Sequence, residues 1–198
     1  MQINGRRFTG FAACAVGLAL LAGCGTTKIA YKPKATGAVA ATANVALKVI
    51  DERPADKGGS SKTQVGQIRG SYGIPTSVKD ADPEVATKSV VDATTDALRQ
   101  AGVGTQATGS KTLVATVKHF WMDGLMGYKA TVAVQYALQD GAGKVVWNAE
   151  VKGGAGGTNL FRGNESFTQD MIENALADLA VKAAEQFKSD GFKKALAG

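Results

Sequence analysis

From Val45 onward, apolar and polar residues alternate in two different rhythms. Val45, Leu47 and Val49 alternate with Ala46, Lys48 and Ile50, and this period of two predicts a strand. Pro54–Gln64 is a polar loop rich in Gly, Ser and Lys. Val65–Arg69 reads as a second short strand, Gly70-Ser71-Tyr72-Gly73 as a turn, and Ile74–Val78 as its hairpin partner. Asp82-Pro83-Glu84 starts a helix with an N-cap acceptor, a proline at the first position and an acid in the first turn. Val90, Thr94, Ala97, Leu98 and Ala101 then share one helical face, and Gly102 ends it. Period two returns at Leu113–Trp121, at Val132–Leu138 and, past the turn Asp140-Gly141-Ala142-Gly143, at Val145–Lys152. Ser166-Phe167-Thr168-Gln169 matches a capping box. Ile172, Ala175, Leu176, Leu179, Ala183 and Phe187 line one face of a final helix that ends before Gly191. The order of strands, helix, strand meander and helix predicts an α+β two-layer domain, a mostly antiparallel sheet with two helices packed on one face.

The first residues follow neither rhythm. Arg6 and Arg7 precede a nearly continuous apolar run from Phe8 to Leu21, shorter than the roughly 20 residues of a spanning helix. Gly10, Gly17 and Gly23 and the lack of a polar face argue against a buried helix. A positive region, an apolar region and small residues make an export signal. Its end, Leu21-Ala22-Gly23-Cys24, resembles the lipobox of bacterial lipoproteins, in which the cysteine becomes the acylated first residue. Two or more acyl chains anchor a protein stably without a transmembrane helix. Gly25, where an inner-membrane lipoprotein would carry Asp, resembles an outer-membrane address. Residues 1–23 are thus expected to be a signal peptide, 24–44 a lipidated cysteine with a flexible tether, and 45–198 a single α+β periplasmic domain. Within the tether Ile29 and Tyr31 have the spacing of a short strand that could dock on the domain, a choice the pattern leaves open.

This division changes how the charge is read. The formal net charge is +6, but five of the 23 basic residues precede Val45, leaving 18 against all 17 acids, a net of +1. A nucleic-acid binder carries its basic excess on the folded surface, so that class is excluded. Lys28, Lys32 and Lys34 instead suit anionic lipid head groups or a merely solvated tether. Of the two cysteines, Cys14 falls in the signal and Cys24 carries lipid, which leaves no thiol for catalysis or a disulfide.

Little in the chain suggests a reaction. Gly153-Gly154-Ala155-Gly156-Gly157 lacks the G-K-[ST] ending of a phosphate-binding loop, so a bulged strand end or flexible loop is expected. The single histidine, His119, has the parity of Leu113, Ala115 and Val117 and reads as a hydrogen-bonded strand residue. Asp51, Glu52 and Arg53 read as an ion-paired strand end rather than an acid–base group. The turn from Trp121 to Tyr128 is unusual because a connection between strands should be polar. Met122, Leu125, Met126 and Tyr128 are therefore expected at an accessible tip that contacts lipid or a protein, the alternative being a turn folded back to cap the sheet.

Ile50-Asp51-Glu52-Arg53, followed by Ile68-Arg69-Gly70-Ser71-Tyr72-Gly73, resembles the YajG-type lipoproteins of Gram-negative bacteria. In that family a V-D-x-R strand end precedes a V-R-G-x-x-G turn, a helix, a strand meander and a final helix. The resemblance spans Val45 to Phe187, in order of elements more than in identities, and implies fold and location but no catalytic residues. The order is also similar to the auxiliary lipoproteins of lipid-transporting ABC systems and to the LpoB-type activators of peptidoglycan synthases, whose tethers are longer. The expectation is a non-enzymatic, outer-membrane-anchored interaction or assembly module without cofactor or metal. Its partners would be the membrane, through Cys24, and an envelope protein. The alternative is an auxiliary lipoprotein of a lipid-transport system, binding acyl chains or a transport complex, which an apolar groove between helices and sheet would favour.

Overall fold

The structure, a computed structural model, describes residues 26–33, 39–69, 71–125, 127–157 and 164–198. In chain order the elements are β1 (Thr26–Thr27), β2 (Ala43–Asp51), β3 (Gln64–Arg69), β4 (Pro75–Asp80), α1 (Val85–Gln100), β5 (Val103–Gln106), β6 (Thr112–Gly124), β7 (Tyr128–Gln139), β8 (Val145–Gly157), α2 (Asn164–Lys188) and α3 (Asp190–Ala197).

The alternating run predicted from Leu113 becomes the spine of the sheet. One edge of β6 pairs with β7, and β7 with β8, all antiparallel. Its other edge is shared end to end by two strands, both parallel to it: β2 runs along Thr112–Val117 and β3 along Met122–Gly124. β5 extends the sheet beyond β2, and β4 and then β1 extend it beyond β3. The sheet is therefore mixed, not mostly antiparallel. β1–β4, β2–β5, β2–β6 and β3–β6 are all parallel ladders. Hairpin reasoning reaches only neighbours in sequence, whereas these parallel pairs join segments far apart in the chain.

One face of the sheet carries α1 over β2 and β5 and α2 over β7 and β8, and the two helices touch each other. The predicted face of α1 is the buried one: Val90, Thr94, Ala97 and Leu98 expose nothing. Asp82 accepts the Glu84 N–H at 2.8 Å in the turn just before the helix, Glu84 at the cap position makes no side-chain cap bond, and Gly102 ends the helix in the left-handed region at φ +73°. Ser166 lies inside α2, not at its start, so the capping box is not what opens that helix. Gly191 lies within α3, a short helix capped by Ser189 that packs Phe192 against Trp147 and Phe187. The glycine-rich run is the end of β8, and it is paired through Gly157. A register shift between Val117 and His119 puts Phe120 and Met122 on the helix-facing side, so His119 does not share the inward parity of Leu113.

All strand directions share one consequence. β6, β8 and β3 run toward one end of the sheet and β7 and β4 run away from it, so the β3–β4 and β6–β7 turns and the start of α2 gather there. The Asp140–Lys144 turn stands at the opposite end of β7, about 40 Å away at 3.3 Å per residue.

Candidate functional site

Residues 26–33, expected within a flexible tether, are packed on the domain. Buried carboxylates from three separate elements hold them. Asp80 accepts the Ile29 N–H at 2.8 Å and the Thr27 hydroxyl at 3.3 Å. Asp96 accepts the Tyr31 hydroxyl at 2.6 Å. Glu173 accepts Lys32 Nζ at 2.6 Å and the Ala30 N–H at 3.5 Å. Ile29 and Tyr31, each 8% exposed, join the core. Burying such side chains stabilises by about 1.5–3 kcal/mol each. The docked alternative is thus the one the chain adopts, and it leaves only Gly25 between the described fold and Cys24. Cys24 itself lies outside the described residues.

Burial, then the hydrogen bond to Asp96, pushes the Tyr31 phenol above its ordinary range. Burial would raise the Asp96 carboxyl, but hydrogen bonds from Tyr31, Arg99 and Gln100 outweigh it and hold it below the ordinary 3.8. Asp51 behaves the same way: burial opposes ionisation, and the Arg53 and Lys62 bonds overcome it, again leaving it below 3.8. A carboxyl with a depressed folded-state pKa stabilises fully above its unfolded value, and this contribution is lost as pH falls through the folded value. Stability should therefore be level from pH 7 to 5 and decline below about pH 4. Denaturant midpoints measured against pH check this, and an Asp51→Asn, Asp96→Asn double variant should show a shallower acid limb. An unchanged limb would show that other groups govern it.

The Asp51-Glu52-Arg53 strand end is an ion pair, as expected. It fills the gap on β6 between β2 and β3. The Arg53 side chain is fully buried, forks onto both Asp51 oxygens at 3.0 and 2.9 Å, and donates to the carbonyls of Gln64 and Lys62. Its guanidinium lies 5.9 Å from the Phe120 ring centre. Each of the three guanidinium nitrogens donates, so this group ties the loop at Lys62–Gln64 to the strand end.

The tip residues divide. Met122 is fully buried, which corrects the expectation of an accessible methionine. It sits in the interior of the sheet, between Gly66 of β3 and Ala130 of β7, facing the helices. Serine there would open the core and would not probe a surface. Leu125 is half-buried; its N–H donates to Asp123 and its carbonyl accepts Arg69 Nε at 2.9 Å. Tyr128 is half-buried, edge-on to Phe167 at 4.6 Å. These two close the end of the sheet, and Met126 lies outside the described residues. The exposed apolar groups at this end come instead from the neighbouring hairpin. Tyr72 is fully exposed, with φ +61°, and Ile74 is 64% exposed. An aromatic residue in the turn Gly70-Ser71-Tyr72-Gly73 was the available signal, and it reads only as a turn until the neighbouring loop is seen beside it.

Among the described residues, side chains pack the space between helices and sheet: Leu113, Val117, Tyr136, Ile172, Leu176 and Leu179 expose nothing. A shallow, open depression of about 320 Å³ lies at the rim between α1, β2 and β5, lined by Leu47, Val91, Thr95, Thr105, Gln106 and Ala107. Half of its lining side chains are polar. Among the described residues, no helix is long and apolar enough to cross a membrane.

The arrangement defines an α+β class with a mixed sheet and helices on one face. Protein XCC0632 from Xanthomonas campestris, of the family described as DUF330, shares this fold at TM-score 0.54. The two are 17% identical over 85% of this chain and 95% of that one. An uncharacterised protein aligns at TM-score 0.49, with 14% identity over 81% of this chain and 99% of that one. The PelC dodecamer from Paraburkholderia phytofirmans aligns at 0.35, with 17% identity over 73% and 95%. The first likeness speaks to fold alone, and the other two are too slight to carry an argument. No family model and no curated relative matches the sequence.

Proposed function

We propose that this chain is an outer-membrane lipoprotein of the periplasmic face, acylated at Cys24, acting as a non-enzymatic interaction or assembly module of the cell envelope. The observation that carries the reading is the docking of residues 26–33. A segment that would otherwise be a loose leash is fixed by Asp80, Asp96 and Glu173, so an anchor at Cys24 becomes an anchor for the folded body. The signal-like residues 1–23 and the lipobox-like Leu21-Ala22-Gly23-Cys24 support it. The packing of the described residues between helices and sheet supports an interaction module over the lipid-handling alternative, which needs room for an acyl chain there.

The test is metabolic labelling with an alkyne fatty acid followed by membrane fractionation. Wild type should take up label and sediment with the outer membrane, whereas Cys24→Ala should be unlabelled. Label retained in Cys24→Ala would refute acylation at this residue. Crosslinking in intact cells should then recover a stoichiometric envelope protein with the acylated form only. Recovery of lipid without protein would favour the lipid-handling alternative.

A further inference from the structure

The direction of the docked segment fixes which end of the domain meets the bilayer. β1 is parallel to β4, with Thr26 opposite Lys79 and Thr27 opposite Asp80. β4 runs away from the Tyr72–Ile74 turn, so β1 does too, and the chain enters from that turn's side. Residues 26–33 continue the same way, from Asp80 to Asp96 of α1 and Glu173 of α2. Cys24 is two residues before Thr26, a reach of at most about 7 Å. The opposite turn, Asp140–Lys144, lies far beyond that reach.

We propose, on the reading that Cys24 is acylated, that this end rests on the membrane and that Tyr72 and Ile74 insert at the boundary of head groups and acyl chains. The distances agree. From Lys79 to Pro75 the strand extends roughly 13 Å toward the turn. With the strands along the membrane normal and the link fully extended, the membrane surface lies about 7 Å from Thr26. Pro75 then lies roughly 6 Å past that surface and Ile74 about 3 Å deeper, within the 5–10 Å depth of interfacial apolar side chains. The side chains suit that depth. Tyr72, left-handed in its backbone and fully exposed, carries an amphipathic ring of the kind enriched at membrane interfaces, and Ile74 two residues on is also exposed. Lys79 is exposed on β4, level with Thr26 on the side of the anionic head groups, Lys28 is exposed one residue past β1, and Arg69 crosses to the neighbouring turn at Leu125.

The experiment uses the acylated full chain in phosphatidylethanolamine–phosphatidylglycerol vesicles, with an environment-sensitive fluorophore on Ile74→Cys or, at the far end, Ala142→Cys. Brominated lipids should quench the probe at 74 at least twofold and leave the probe at 142 unchanged. Protein that floats with the vesicles but shows no quenching at 74, or equal quenching at both sites, overturns the orientation and leaves the anchoring intact. Acylated protein that does not float overturns the anchoring reading and the orientation with it.

Discussion

Arg53→Ala should destabilise the domain by about 3–5 kcal/mol, the range for removing one partner of a buried ion pair. The guanidinium exposes nothing and makes four side-chain hydrogen bonds, two to Asp51 and one each to the carbonyls of Lys62 and Gln64. Alanine strands those carbonyls and leaves Asp51, whose side chain is only 11% exposed, with Lys62 as its remaining ion-pair partner. It also removes the plug between β2 and β3, which meet β6 end to end and not side by side. Arg53→Lys should recover little, because an ammonium cannot fork onto a carboxylate and reach two carbonyls in one plane. The fit leaves no spare room: a Cβ on Gly58, already at φ +93°, would stand 2.6 Å from Arg53 Nη1. Urea unfolding followed by circular dichroism measures the effect. A loss below about 1 kcal/mol for Arg53→Ala, typical of exposed pairs, would show that the site behaves as a surface salt bridge.

The second large effect is expected at Gly153. A Cβ there would stand 2.1 Å from the Ala175 carbonyl oxygen and 2.5 Å from the Leu179 nitrogen, both backbone atoms of α2. Backbone cannot rotate aside as a side chain can, so Gly153→Ala must push α2 off the sheet or bend β8. Overpacking of this kind costs about 1–3 kcal/mol, and a rigid helix puts the effect at the upper end. Gly156 supplies the internal control. It lies on the same strand with its nearest neighbour, the Tyr128 carbonyl, 3.9 Å away. Gly156→Ala should be neutral or slightly stabilising, since glycine pays an entropic penalty in a strand. Thermal unfolding of both variants separates them, and equal midpoints would contradict the close helix–strand approach.

The glycine-rich run shows why part of this fold resisted reading. Its composition looks like a loop, and nothing local distinguishes that from a strand on which a helix must lie unusually close. The same holds for residues 26–33. Ile29 and Tyr31 had strand spacing, but the partners that hold this segment, Asp80 for Ile29, Asp96 for Tyr31 and Glu173 for Ala30 and Lys32, stand 51, 65 and 141 or more residues away. Met122 was misread because the strand runs on to Gly124 where a turn was expected, and His119 for a smaller reason. A one-residue bulge after Val117 reverses the parity of everything beyond it, and alternation cannot register an insertion it does not expect.

What the sequence determined by itself is whatever depends on neighbours along the chain. That covers the α1 face and its glycine stop, the β3–β4 and β7–β8 hairpins, the Asp51–Arg53 pairing, the near-neutral body beneath a basic N-terminus, and the signal-like residues that end at Cys24. The tertiary structure alone decided the parallel ladders, the burial of Met122, the exposure of Tyr72 and the docking of the N-terminal segment. Each of these is a contact between segments far apart in sequence, where the choice of partner rests on the burial and hydrogen bonding of the whole domain and not on the periodicity of any one segment.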